Sequence, residues 1–164
     1  MSSRKTIAFI ALITLALSIA LMADALAGEY VKCRGVKHMV KWEQINVGDV
    51  EGHAIALYES KGVVTNLEGK AFGDGWIVHE MGTFDFNTKS GAGSWHGYSE
   101  LTSPQGDKVY LTWEGMPTKG PLTFIKGTGK YEGIKGKGTW SAGPPTGDPN
   151  EFYTNWEGEV ELPR

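Results

Sequence analysis

The 164-residue chain holds a single cysteine, Cys33. That excludes an internal disulfide and any cysteine-based zinc site. It leaves either a buried, inert thiol, the plainer reading, or a bond between two chains. Positive charge is also short, with 16 basic against 19 acidic side chains and a formal net charge of −3. Nucleic acid and anionic membrane surfaces need clustered positive charge, so neither is an expected partner. Helical patterning is missing as well, since no long segment carries apolar residues at i, i+3, i+4 and i+7 between caps. The four histidines, His38, His53, His79 and His96, show no ligand spacing, so no metal is expected. No G-x-S-x-G occurs, and no Ser/His/Asp group assembles from spacing alone.

One long apolar run is present, and it lies at the start. Arg4 and Lys5 precede Ile7–Ala23, and Ala25-Leu26-Ala27 stands before Gly28. A basic start, an apolar middle and an A-x-A end make a secretory signal peptide over residues 1–27, with residues 28–164 as one domain. The protein is then expected in the periplasm or secreted, with no membrane attachment after cleavage. The run is nearly long enough to span a bilayer, so an uncleaved anchor stays open as an alternative. Cleavage would remove Arg4, Lys5 and Asp24 and leave the domain slightly more acidic.

All 23 glycines fall after residue 27, among segments of alternating polarity. Alternation with turn residues between segments is the pattern of antiparallel sheet. Phe152–Leu162 places Phe152, Trp156, Val160 and Leu162 on one face, opposite Tyr153, Asn155, Glu157, Glu159 and Glu161. Val109–Glu114, Trp76–Phe86 and Ser94–Thr102 alternate in the same way. Further candidates are 37–47, 53–59, 61–66, 122–126 and 130–140. Their connections, "NTKSGAG", "SPQGD" and "PTKGP", are turn chemistry, and "SAGPPTGDPNE" reads as a long rim loop. The fold class is therefore all-β: an antiparallel barrel of eight strands, whose closure removes exposed edges. A two-sheet sandwich is the alternative. A barrel of about eight strands has room for packed side chains or one small ligand.

The stretch "GTGKYEGIKGKGTW", residues 127–140, has five glycines and three lysines and invites comparison with phosphate-binding loops. Gly133 comes one residue too late for G-x-G-x-x-G, and the lysine of G-x-x-x-x-G-K-[ST] is missing before Thr139. No nucleotide cofactor, and no other cofactor, is expected. Glycine within strands marks corners or close backbone approach, which small barrels need in order to close. The phrase Phe124, Gly127, Thr128, Gly129, Tyr131, Gly133 and Gly136 resembles one in small secreted bacterial barrels of the allene oxide cyclase-like and dirigent-like group. "GHAIALYESKG", residues 52–62, looks like an early strand pair of such barrels. The resemblance implies an eight-stranded barrel with a cavity, often in a homo-oligomer. It does not specify an activity, because cyclases and dirigent proteins share the group.

Two carboxylates sit on apolar faces: Glu80 with Trp76, Val78 and Phe84, and Glu59 with His53, Ile55 and Leu57. An ionised carboxylate in a dry interior must be paired, neutral or facing a cavity. Lys126, on the face of Leu122 and Phe124, is the candidate partner. The six tryptophans are many for a domain of this size. Some fill the core, and others could wall an apolar pocket. The expected ligand is a small, mainly apolar or aromatic molecule, with Trp76, Trp95 and Trp113 as walls and Glu59 and Glu80 as polar anchors. The alternatives are a cyclase- or isomerase-type enzyme using a cavity carboxylate, and a structural protein with no ligand.

Overall fold

The computed structural model describes residues 28–162. The leader expected over residues 1–27 lies outside them. Eight strands follow in chain order: β1 Glu29–Asn46, β2 His53–Glu68, β3 Trp76–Asn87, β4 Gly93–Thr102, β5 Lys108–Gly115, β6 Lys119–Gly127, β7 Lys135–Pro145 and β8 Glu151–Glu161. Each pairs antiparallel with the next, and β1 pairs with β8 from Glu29↔Val160 to His38↔Glu151, closing the barrel. The sandwich alternative is therefore excluded.

Period-2 alternation delivers one side of each strand to the interior. On β3 the inward residues are Trp76, Val78, Glu80, Gly82 and Phe84. On β5 they are Val109, Leu111 and Trp113. The segments expected at 53–59 and 61–66 are one continuous strand, so "GHAIALYESKG" is not a strand pair. The rim loop is shorter than its sequence suggests, because β7 continues to Pro145.

The glycine-rich stretch joins β6 to β7 and is not one bent strand. A single 3-10 turn, Gly129–Tyr131, precedes β7, and Gly129 and Gly133 adopt φ of +56° and +81°. Those left-handed conformations favour glycine, which has no Cβ to clash. The turn drives Tyr131 inward, where its hydroxyl donates to the Ala71 carbonyl at 2.7 Å. Phe72, Trp76 and Tyr131 pack ring on ring at 5.1–6.0 Å between centroids, sealing this end of the barrel. Such aromatic pairs add about 0.5–1.5 kcal/mol each beyond their burial. Phe72, Trp76 and Tyr131 line no part of the cavity that the rest of the interior holds.

Candidate functional site

The barrel interior holds a cavity of about 350 Å³. That falls in the range of small-molecule sites, roughly 300–1,000 Å³. It opens at the end where the β1–β2, β3–β4, β5–β6 and β7–β8 turns gather. Trp95 from β4, Trp113 from β5 and Trp140 from β7 form one wall. Trp95 and Trp140 stack at 6.1 Å with 7° between their planes, and Trp113 meets Trp140 edge-on at 6.2 Å. Trp140 is fixed further by an Nε1 donation to the Glu114 carbonyl at 2.8 Å. Phe84 packs 4.4 Å from Trp95 and 4.9 Å from Tyr58. Trp42, half-exposed on β1, covers part of the mouth by stacking on Phe84 at 5.4 Å.

Local sequence explains the position of Trp113. Gly82 on β3 and Gly97 on β4 are paired in register. A Cβ on either would overlap the six-membered ring of Trp113. The paired glycines therefore form a slot in the wall, and the indole lies in it.

The floor is polar. Glu80 accepts hydrogen bonds from Lys37 Nζ at 2.7 Å, from Ser99 Oγ at 2.7 Å and from the Tyr58 hydroxyl. All four side chains are buried. Burial holds the Lys37 amine below the ordinary lysine value, and the attraction and hydrogen bond of Glu80 act against that shift. The Lys37 ammonium also faces the rings of Phe152 and Trp156, 5.1 and 5.7 Å from their centroids. Cations are attracted to ring faces at such distances. Among the described residues, Trp95 Nε1, Trp113 Nε1 and Thr154 Oγ1 are buried on cavity-lining side chains without a hydrogen-bond partner.

Trp95, Trp113 and Glu80 come together around this cavity, whereas Trp76 and Glu59 do not. Trp76 is part of the plug at the closed end, packed 5.1 Å from Tyr131. Glu59 points outside the barrel, because β2 turns Ala54, Ala56, Tyr58 and Ser60 inward and leaves Ile55 and Leu57 exposed. There Glu59 accepts from His79 Nε2 at 2.7 Å, and that bond is the main cause of its lowered pKa. Lys126 is not the partner of Glu80. A bulge opposite Tyr110 and Leu111 reverses the alternation, so Lys126 is exposed and lies 6.0 Å from the Tyr110 ring centroid.

Sequence alternation alone does not single out Lys37. The signal that finds it is the inward parity Val31, Cys33, Gly35, Lys37, Met39, which requires starting β1 at Glu29. His53 is held between Asp49 and Asp85 at 2.5 and 2.9 Å, and both contacts raise its pKa. His38, Asp148 and Glu151 come within 4.8 Å of one another on the rim, all exposed, through a strand pair and a loop rather than a sequence motif.

No protein-family model matches the chain, and no curated protein sequence matches it. Solved structures do. The pterocarpan synthase dirigent protein PsPTS1 superposes with a TM-score of 0.52 at 10% identity, over 84% of this chain and 98% of that one. The pterocarpan synthase dirigent protein GePTS1 gives 0.50 at 7% identity, over 83% and 89%. A nonspecific heme-binding cyclase gives 0.48 at 17% identity, over 94% and 77%. Similarity at these identities concerns the fold, and in fold the chain is an eight-stranded antiparallel barrel of the dirigent-like and allene oxide cyclase-like type.

Proposed function

We propose that the protein binds a small, mainly apolar or aromatic molecule inside the open half of the barrel. One observation carries this reading: the barrel holds a cavity of about 350 Å³ walled by aromatic side chains. A structural barrel has no need of such a cavity, since unfilled apolar volume weakens a core. Trp95, Trp113 and Trp140 supply faces on which a flat molecule stacks, and the floor supplies a polar anchor. Apolar walls with a few convergent polar groups are the usual form of such sites. The signal-peptide-like start supports export of this binding barrel.

Titration with naphthalene, read by tryptophan fluorescence, tests the proposal. Saturable quenching at one site per chain is expected. Ala142→Trp, which narrows the mouth of the cavity from β7, should weaken binding by at least about tenfold. Equal binding in that variant would remove the cavity from consideration.

A second reading, an enzyme of cyclase or isomerase type, is favoured by the surroundings of Glu80. A carboxylate fixed by three donors, one of them a tyrosine hydroxyl, is placed for proton transfer to a substrate held above it. Glu80→Gln would then abolish turnover, while a pure carrier would only lose affinity.

A further inference from the structure

β1 places an amine on the floor of an apolar cavity, and stability does not account for it. Buried ion pairs are often matched or exceeded in stability by well-packed apolar side chains of similar volume. Lys37 is the single lysine lining the cavity among the described residues, and it is 1% exposed. An ammonium has three N–H donors. Lys37 makes one side-chain hydrogen bond, to Glu80 Oε1 at 2.7 Å. Tyr58 and Ser99 anchor that carboxylate from other strands, so it holds its place as protons come and go. Desolvation lowers the amine's affinity for its proton, as in lysines that attack carbonyl groups.

We propose that Lys37 is a nucleophile that condenses with the carbonyl carbon of a planar aromatic or conjugated aldehyde or ketone, forming an imine inside the cavity. The proposal rests on reading the cavity as a small-molecule site. The Lys37 ammonium first passes a proton to Glu80. The neutral amine attacks the carbonyl carbon; the C–N bond forms as the C=O π bond breaks, and the oxygen takes the proton from Glu80. Glu80 next removes a proton from the nitrogen. It returns that proton to the hydroxyl as the C–O bond breaks, and water leaves. The nitrogen lone pair closes the C=N bond. The product is a protonated imine on Lys37 beside an ionised Glu80, with one water released and no change in net charge. The floor holds one cation and one anion before and after, so the reaction leaves no unpaired charge in the interior. Phe152 and Trp156, whose rings flank Nζ, face the cationic nitrogen throughout.

The test is reductive trapping. The protein is incubated at pH 7 with 2-naphthaldehyde and sodium cyanoborohydride, then digested and mapped by mass spectrometry. The naphthylmethyl adduct is expected on Lys37 at least about tenfold faster than on any exposed lysine, because the cavity desolvates the amine and holds the aldehyde beside it. Glu80→Gln should slow it by about a hundredfold, the scale of one acid/base group. K37R, verified as folded by circular dichroism, should show no adduct at position 37 and no new preferred site. If K37R does not fold, the K37M/E80M double variant, which removes both charges, serves in its place. Adducts confined to exposed lysines, in wild-type protein that still binds naphthalene, would overturn the proposal and leave the binding reading intact. If wild-type protein does not bind naphthalene, both readings fall together.

Discussion

Lys37 and Glu80 meet inside the barrel with Nζ 2.7 Å from Oε1, although β2 lies between the strands that carry them. β2 permits this by presenting the small Ser60 inward at its crossing with β3, in register with Glu80. The pair divides the interior. On one side the aromatic plug around Tyr131 is solid, and on the other the tryptophan walls enclose a cavity.

Breaking the pair from one side leaves an uncompensated buried charge. Glu80→Gln should destabilise the folded domain by about 3–5 kcal/mol. K37M/E80M, which removes both charges, should cost far less or be neutral. Urea unfolding followed by tryptophan fluorescence measures both.

The pH dependence of that stability has a definite sign. In the folded state the Lys37 pKa lies below its usual value. Between the folded value and about 10.5, the unfolded chain binds more protons at this site than the folded one. Stability contributed by this site therefore rises with pH across that window, and the penalty is full below it. Wild-type minus K37M unfolding free energy, measured from pH 7 to 10, should rise with pH. A flat or falling difference would mean that the amine is not depressed.

The slot that holds Trp113 should tolerate no side chain. A Cβ at Gly82 would lie 2.7 Å from Trp113 Cζ2 and 2.8 Å from the His96 carbonyl oxygen. Gly82→Ala is expected to cost about 1–3 kcal/mol as an overpacking change. Trp113→Leu in that background should recover part of the loss, giving a coupling of at least about 0.5 kcal/mol in a double-mutant cycle. Simple additivity would show that the backbone, rather than the indole, rejects the methyl group.

Cys33 is 3% exposed, and burial pushes its thiol up to about 12. The thiolate is the reactive form. Ellman's reagent at pH 8 should leave the native protein unmodified and react with one thiol per chain in urea. Fast native reaction, or a disulfide-linked dimer on a non-reducing gel, would contradict this burial.

Much of the fold is legible in the sequence because inward and outward residues differ in polarity. In β3, β4, β5 and β8 the alternation identifies the inner face directly. In β2 it misleads, since the inner face needs small residues such as Ala54 and Ala56 while Ile55 and Leu57 are left outside. That reversal is why Glu59 looks internal and is not. The bulge at β5–β6 does the same for Lys126, because one extra residue moves every later side chain to the other face. Trp76 alternates onto the inner face, but height along the barrel is not written in alternation. Only the pairing register puts it among the plug residues. Lys37 follows the correct parity, yet a lysine in an inward position reads as a strand end until its partner is known.

The central claim is that a small aromatic molecule occupies the open half of the barrel. Intermolecular nuclear Overhauser effects between naphthalene and isotope-labelled protein test it most directly. Contacts to Trp95, Trp113 and Trp140 are expected, with none to Ile55, Met81 or Tyr98, which are exposed on the outer surface. Contacts to the outer set alone would contradict it.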